Sequence, residues 1–148
     1  MSQEKVDLDS SVGYVLKQAA AALRGAMDTA LRPLGLSVPQ YACLELLGQR
    51  PGLSAAELAR GAFVTRQSMH TVLQGLEDRG LLERPSAAPH GRALPTRLTD
   101  EGARLLARAS HLVAEVEGRM IAALPAGDAE RLHRDLTTCA EALDPAKH

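Results

Sequence analysis

The feature that most constrains this chain is a pair of helix starts and stops within residues 54–80. Ser54-Ala55-Ala56-Glu57 is an S-x-x-E capping box. In such a box the serine hydroxyl satisfies the amide three residues on, and the glutamate reaches back to the serine amide. Gly61 interrupts that helix after about two turns. Ala62-Phe63-Val64 makes a tight connector, in which Phe63 is expected to plug the core. Thr65 caps a second helix that should run to Arg79 and stop at Gly80, a C′ glycine. Met69, Val72, Leu73 and Leu76 recur at i, i+3, i+4 and i+7, so one stripe of this helix is buried and the other side is free.

The periodicity changes after Gly80. Leu81–Arg84 reads as a short strand, and 85–91 holds two prolines and a glycine and cannot be helix. Leu94–Leu98 alternates apolar and polar as a partner strand, with Pro95 confining it to edge-like pairing. Short helix, turn, second helix and hairpin, in that order, form a winged helix-turn-helix.

Helices flank this unit. Asp9 or Ser10 is expected to cap the first, whose Val12, Leu16, Ala19, Leu23, Ala26, Ala30 and Leu34 share one face. A second begins near Ser37, with Pro39 in its first turn, and ends before Pro51-Gly52. Thr99 caps a long helix to about Leu124. A last helix over 128–143 places Leu132, Leu136, Cys139, Ala140 and Leu143 together. The expected fold is mainly α with a small β-hairpin wing. It is a single domain over 1–148, with 36–99 as the winged helix-turn-helix and long helices at both ends.

Several function classes fall away on composition. The 148 residues hold one Phe, two Tyr and no Trp, too few aromatics for a single-stranded nucleic-acid stacking platform. A net charge of -1 does not suit a general nucleic-acid coat. The charge is uneven, however. Residues 54–99 carry six arginines against four acids, a balance of +2, and the remainder carries -3. Cys43 and Cys139 form no C-x-x-C pair, and nothing resembles a signal peptide or a membrane span of ~18 apolar residues. The cytoplasm is the expected compartment. No G-x-S-x-G, P-loop, G-x-G-x-x-G or H-E-x-x-H occurs, so no enzyme and no cofactor is expected. His111 and Glu115 stand at i, i+4, half of a metal site with no second half in view, so no metal is assigned.

Double-stranded DNA suits the middle segment. A recognition helix held by its apolar stripe frees its first turns to enter the major groove, where its amide groups and dipole favour phosphate. The residues so presented are Thr65, Arg66, Gln67, Ser68, His70 and Thr71, with Gln74 one turn further along. Arginine pairs bidentately with guanine, glutamine with adenine, and hydroxyls with phosphates or bases. Ser54, at the start of the preceding helix, completes the set. The alternative is a winged helix that binds a protein and no longer reads DNA.

LSVPQYACLELL, PGLSAAELARGAFVTRQSMHTVLQGLEDRGLLER and RLTDEGARLLA together resemble the MarR family of bacterial winged-helix transcription regulators. The resemblance extends over nearly the whole chain. It implies a homodimer held by interlocking terminal helices (10–34 and 100–144), a recognition helix at 65–79 and a wing at about 84–96. It further implies an operator of two-fold symmetry, repression as the usual sign, and in many members release by a small lipophilic or phenolic effector. Arg92 falls on the family's minor-groove wing arginine. His90-Gly91-Arg92 stands where the family commonly has Asp-Arg-Arg, and Thr71 and Gly75 replace frequent basic residues. The family's effector cleft lies between the first, second and fifth helices, which nominates Tyr14, Tyr41, Cys43 and His111 as pocket residues. Core packing is the competing role for Tyr41 and Cys43.

Overall fold

The computed structural model describes residues 4–84 and 96–147. Its elements are α1 (Val12–Leu31) with a short 3-10 turn (Arg32–Leu34), α2 (Val38–Gln49), α3 (Ala55–Gly61), α4 (Arg66–Asp78), β1 (Leu82–Glu83), β2 (Arg97–Leu98), α5 (Asp100–Ala122) and α6 (Asp128–Ala142). Antiparallel β1 and β2 pair Leu82 with Leu98 and Glu83 with Arg97. The wing hairpin is therefore present at its root. β1 is shorter than the expected 81–84, and Thr96 stands outside β2; Leu94, Pro95 and Arg92 lie outside the described residues.

Caps set the helix starts. Ser37 and Ser54 each head a reciprocal capping box, with Gln40 and Glu57 as partners. Thr65 and Thr99 accept from the amides of Ser68 and Gly102. The first helix starts one or two residues later than expected, because Ser11 is its cap and accepts from the Tyr14 amide. Asp7 explains the shift. Its carboxylate accepts from the Asp9 amide and its carbonyl from the Ser10 amide, which ties 7–10 into a turn of their own. The long fifth helix ends at Ala122, two residues short of Leu124.

The core lies in the middle of the chain. Leu31, Cys43, Leu44, Leu58, Met69, Leu73, Leu76, Leu81 and Leu82 are buried together, filled by aliphatic side chains as the scarcity of aromatics requires. Two glycines permit close approach. A Cβ at Gly61 would press on Leu46 of α2, and one at Gly102 would overlap the Leu81 carbonyl oxygen. Thr99 completes the second junction, donating its hydroxyl to the Gly80 carbonyl at 2.7 Å.

Away from this lobe the helices carry bare apolar faces. α1 lies along α5 yet buries only Leu31. Val12, Val15 and Leu16 of α1, Met120 of α5, and Leu132 and Leu136 of α6 are all exposed, and α6 buries none of its residues. No helix among the described residues is long and apolar enough to cross a membrane.

Candidate nucleic-acid interface

The amphipathic α4 fixes the geometry of the site. Met69, Leu73 and Leu76 are buried against α2 and α3, which leaves Gln67, His70, Thr71 and Gln74 on the opposite, exposed face. Arg66, Gln67 and His70 make no side-chain hydrogen bond or ion pair among the described residues, so their donors are free. The hydroxyls behave differently. Thr65 Oγ1 accepts from the Ser68 amide at 3.0 Å and donates to Ser68 Oγ at 2.9 Å. Thr71 turns back on the Gln67 carbonyl at 3.4 Å. The Ser54 hydroxyl accepts from the Glu57 amide, and the Glu57 carboxyl, hydrogen-bonded by the Ser54 amide, is held below its usual range.

Gln74 is engaged at both ends. Its amide nitrogen donates to Asp78 at 2.9 Å, and its amide oxygen accepts from Arg84 at 3.0 Å. Arg84 also pairs with Glu77 at 3.5 Å, and Arg97 pairs with Glu83 across the strands at 3.0 Å. These contacts fasten the recognition helix to the root of the wing. Sequence reading missed Arg84, because its partnership depends on the turn after Gly80 bringing β1 back beside α4. Arg92, the expected wing contact, lies outside the described residues, as do His90 and Gly91.

Phe63 corrects an expectation. It does not plug the core: it is 94% exposed, with a left-handed backbone at φ 59°. Ala62 and Val64 on either side turn inward and pack on the core instead. In this connector the backbone conformation, not the residue's hydrophobicity, decides which side chain faces in.

The four residues nominated for a ligand pocket differ in exposure. Cys43 is wholly buried, and burial pushes its thiol pKa up to about 12. Tyr41 is buried in the core, and its hydroxyl donates to Glu45 at 2.8 Å. Burial, with the adjoining Glu45 carboxylate, raises the Tyr41 pKa to about 12. Ser110 of α5 donates to the same carboxylate at 2.5 Å, so Glu45 joins α2 to α5. Burial alone would raise the Glu45 pKa, but hydrogen bonds from Ser110, Gln49 and Tyr41 outweigh it and hold it below its ordinary value. Tyr14 is exposed near the start of α1. His111 pairs with Glu115 at 3.1 Å on the exposed side of α5 and borders a cleft with Leu34, Arg108 and Leu112. An adjoining cleft of about 510 Å³ is lined by Leu34, Arg79, Leu81, Arg104, Leu105 and Arg108. Arg79 donates to the Gly35 and Leu34 carbonyls there, whereas Arg104 and Arg108 make no side-chain hydrogen bond or ion pair among the described residues.

The HTH-type transcriptional repressor Rv2887 of Mycobacterium tuberculosis is 45% identical over 128 residues, which span 86% of this chain and 92% of that protein. The chain belongs to the MarR family. It is a DNA-binding transcription regulator. The MarR family profile matches residues 34–93, from the end of the 3-10 turn through α2, α3, α4 and β1 and beyond them. A crystal structure of the mycobacterial Rv2887 in complex with DNA superposes with a TM-score of 0.74 at 43% identity, covering 88% of this chain and 98% of that one. Another, in complex with p-aminosalicylic acid, gives 0.77 at 44% identity, covering 88% and 99%. The MarR family is one of transcription regulators.

Proposed function

We propose that this MarR regulator binds a palindromic operator as a homodimer in the cytoplasm and represses transcription there. The observation that carries the reading is α4. Its inward face is closed by Met69, Leu73 and Leu76, and Arg66, Gln67 and His70 are exposed without a side-chain partner among the described residues. Unpaired donors at the start of a recognition helix are those that base edges and phosphates satisfy. Arg66 and Gln67 are the base readers in this proposal. Thr65, Ser68, Thr71 and Ser54 meet phosphate, and Arg92 reaches the minor groove. Gln74, held by Asp78 and Arg84, positions the wing root.

Two-fold symmetry follows from the bare faces of α1, α5 and α6. A single helix reads few base pairs, and a second copy set about 34 Å away doubles the site. The test is selection of duplexes from a random pool by the purified protein. A motif of two inverted half-sites about 10 base pairs apart is expected. A motif without two-fold symmetry contradicts the reading.

We also propose a small aromatic carboxylate as effector. Support comes from the mycobacterial relative's complex with p-aminosalicylic acid and from a cleft whose lining combines Leu34, Leu81 and Leu105 with Arg79, Arg104 and Arg108, three cations against the single carboxylate of Glu101. Salicylate should release operator DNA from the wild type, and Arg108→Ala should require a higher concentration. Release at the same concentration would remove this cleft from consideration.

A further inference from the structure

We infer that Phe63 is a DNA-contacting residue, whose ring makes an apolar contact with the duplex beside the start of the recognition helix. The inference rests on the DNA-binding reading above and extends it to a residue type that phosphate and base hydrogen bonding would not reveal. Phe63 is held at φ 59°, a region that bulky side chains rarely occupy and that glycine occupies without strain. Among the described residues it is the most exposed large hydrophobic side chain. The turn places both of its neighbours, Ala62 and Val64, against the core, and the Val64 amide donates to the Ala59 carbonyl at 3.0 Å. Phe63 thus gains nothing inside the fold that a glycine would forfeit. Strained positions of this kind concentrate at functional sites.

Position identifies the occupant. Phe63 lies two residues before Thr65, the cap of α4, and Phe63, Thr65, Arg66 and Gln67 are all exposed. It is separate in sequence from the bare faces of α1, α5 and α6 that a second copy of the chain would cover. An uncharged ring finds two apolar features on a duplex approached from the major groove, the thymine methyl and the deoxyribose edge. Such a contact releases no counterions, so it adds affinity without adding salt dependence.

The experiment compares the wild type with Phe63→Gly and Phe63→Leu on the duplex that the wild type selects. Phe63→Gly should weaken binding about tenfold, with the slope of log affinity against log salt unchanged. Its melting temperature should equal or exceed that of the wild type, because the strained backbone is relieved. Phe63→Leu should fall between the two in affinity. Single thymine-to-deoxyuridine substitutions then separate the sources. A position at which the wild type loses affinity and Phe63→Gly does not identifies the methyl. Equal responses at every position, with Phe63→Gly still weak, identify the deoxyribose. Wild-type affinity in Phe63→Gly overturns the inference and leaves the regulator intact. Weakened binding accompanied by a lower melting temperature or a dissociated dimer assigns Phe63 to the fold and also overturns it. A wild type that selects no duplex overturns both readings.

Discussion

Glu45 shows how one half-buried charge can join two parts of a fold. Its carboxylate accepts from Tyr41 and Gln49 on its own helix and from Ser110 on α5. Since the folded-state pKa lies below the ordinary 4.5, the stabilisation is present above that value and is lost as pH falls through the folded pKa. Glu45→Gln should destabilise the protein by about 1–2 kcal/mol at neutral pH. The gap between the two melting temperatures should close on acidification below about pH 4.5; a gap that stays constant to low pH would count against the carboxylate. Cys43 and Tyr41 act at the other end of the scale. The unfolded thiol ionises from about pH 9 and the buried one only near 12, so stability should decline as pH rises across that interval. The same burial makes Cys43 inert. Cys139 is exposed, so the test uses Cys139→Ser: there Cys43 should react with a thiol reagent only as fast as the lobe opens, and immediate labelling would refute its placement. The sequence exposes Tyr41 and Glu45 as an i, i+4 pair but gives no sign of Ser110, whose approach depends on how α5 packs on α2.

The elements were legible where spacing carries the physics. The Ser54–Glu57 box, the two threonine caps and the stripe on α4 are local patterns, and the structure contains them; the Ser37–Gln40 box is equally local and went unread. Expectations failed where a neighbour competes or where the backbone redirects a side chain. Asp7 moves the cap of α1 to Ser11, and the left-handed connector turns Phe63 outward. The bond from Arg84 to Gln74 was also hidden, because it needs the turn after Gly80 to bring the chain back beside α4. The sharpest test of an element junction is Gly102→Ala. The added methyl meets a backbone carbonyl, not a yielding side chain, in the first turn of α5. Overpacking of this kind costs about 3 kcal/mol, read as a lower urea midpoint at unchanged slope. A midpoint within error of the wild type would show that α5 shifts freely against β1. For the recognition helix, Arg66→Ala should reduce operator affinity by about 1–3 kcal/mol and relax preference at one position of each half-site. Uniform weakening at all positions would make Arg66 a phosphate contact.

At the scale of the molecule, one dense lobe carries the reading helix, and a loosely covered frame of α1, α5 and α6 extends from it. The unequal charge distribution suits this division, since the positive excess falls within 54–99. Replacing both Leu132 and Leu136 of α6 by Glu should give a monomer by sedimentation. That monomer should retain the fold of the lobe yet lose operator binding by far more than either half-site alone supplies. A dimer surviving both charges would place the interface elsewhere. The bare frame also bears on how much of this regulator a cell can keep. A single newly made copy exposes Val12, Val15, Leu16, Met120, Leu132 and Leu136, the kind of surface that chaperones hold and proteases recognise. Pairing removes that surface, so each chain's lifetime depends on how many others are present. Below a threshold abundance, unpaired copies would be cleared faster than they meet. The regulator would then disappear abruptly rather than fade in proportion to its synthesis.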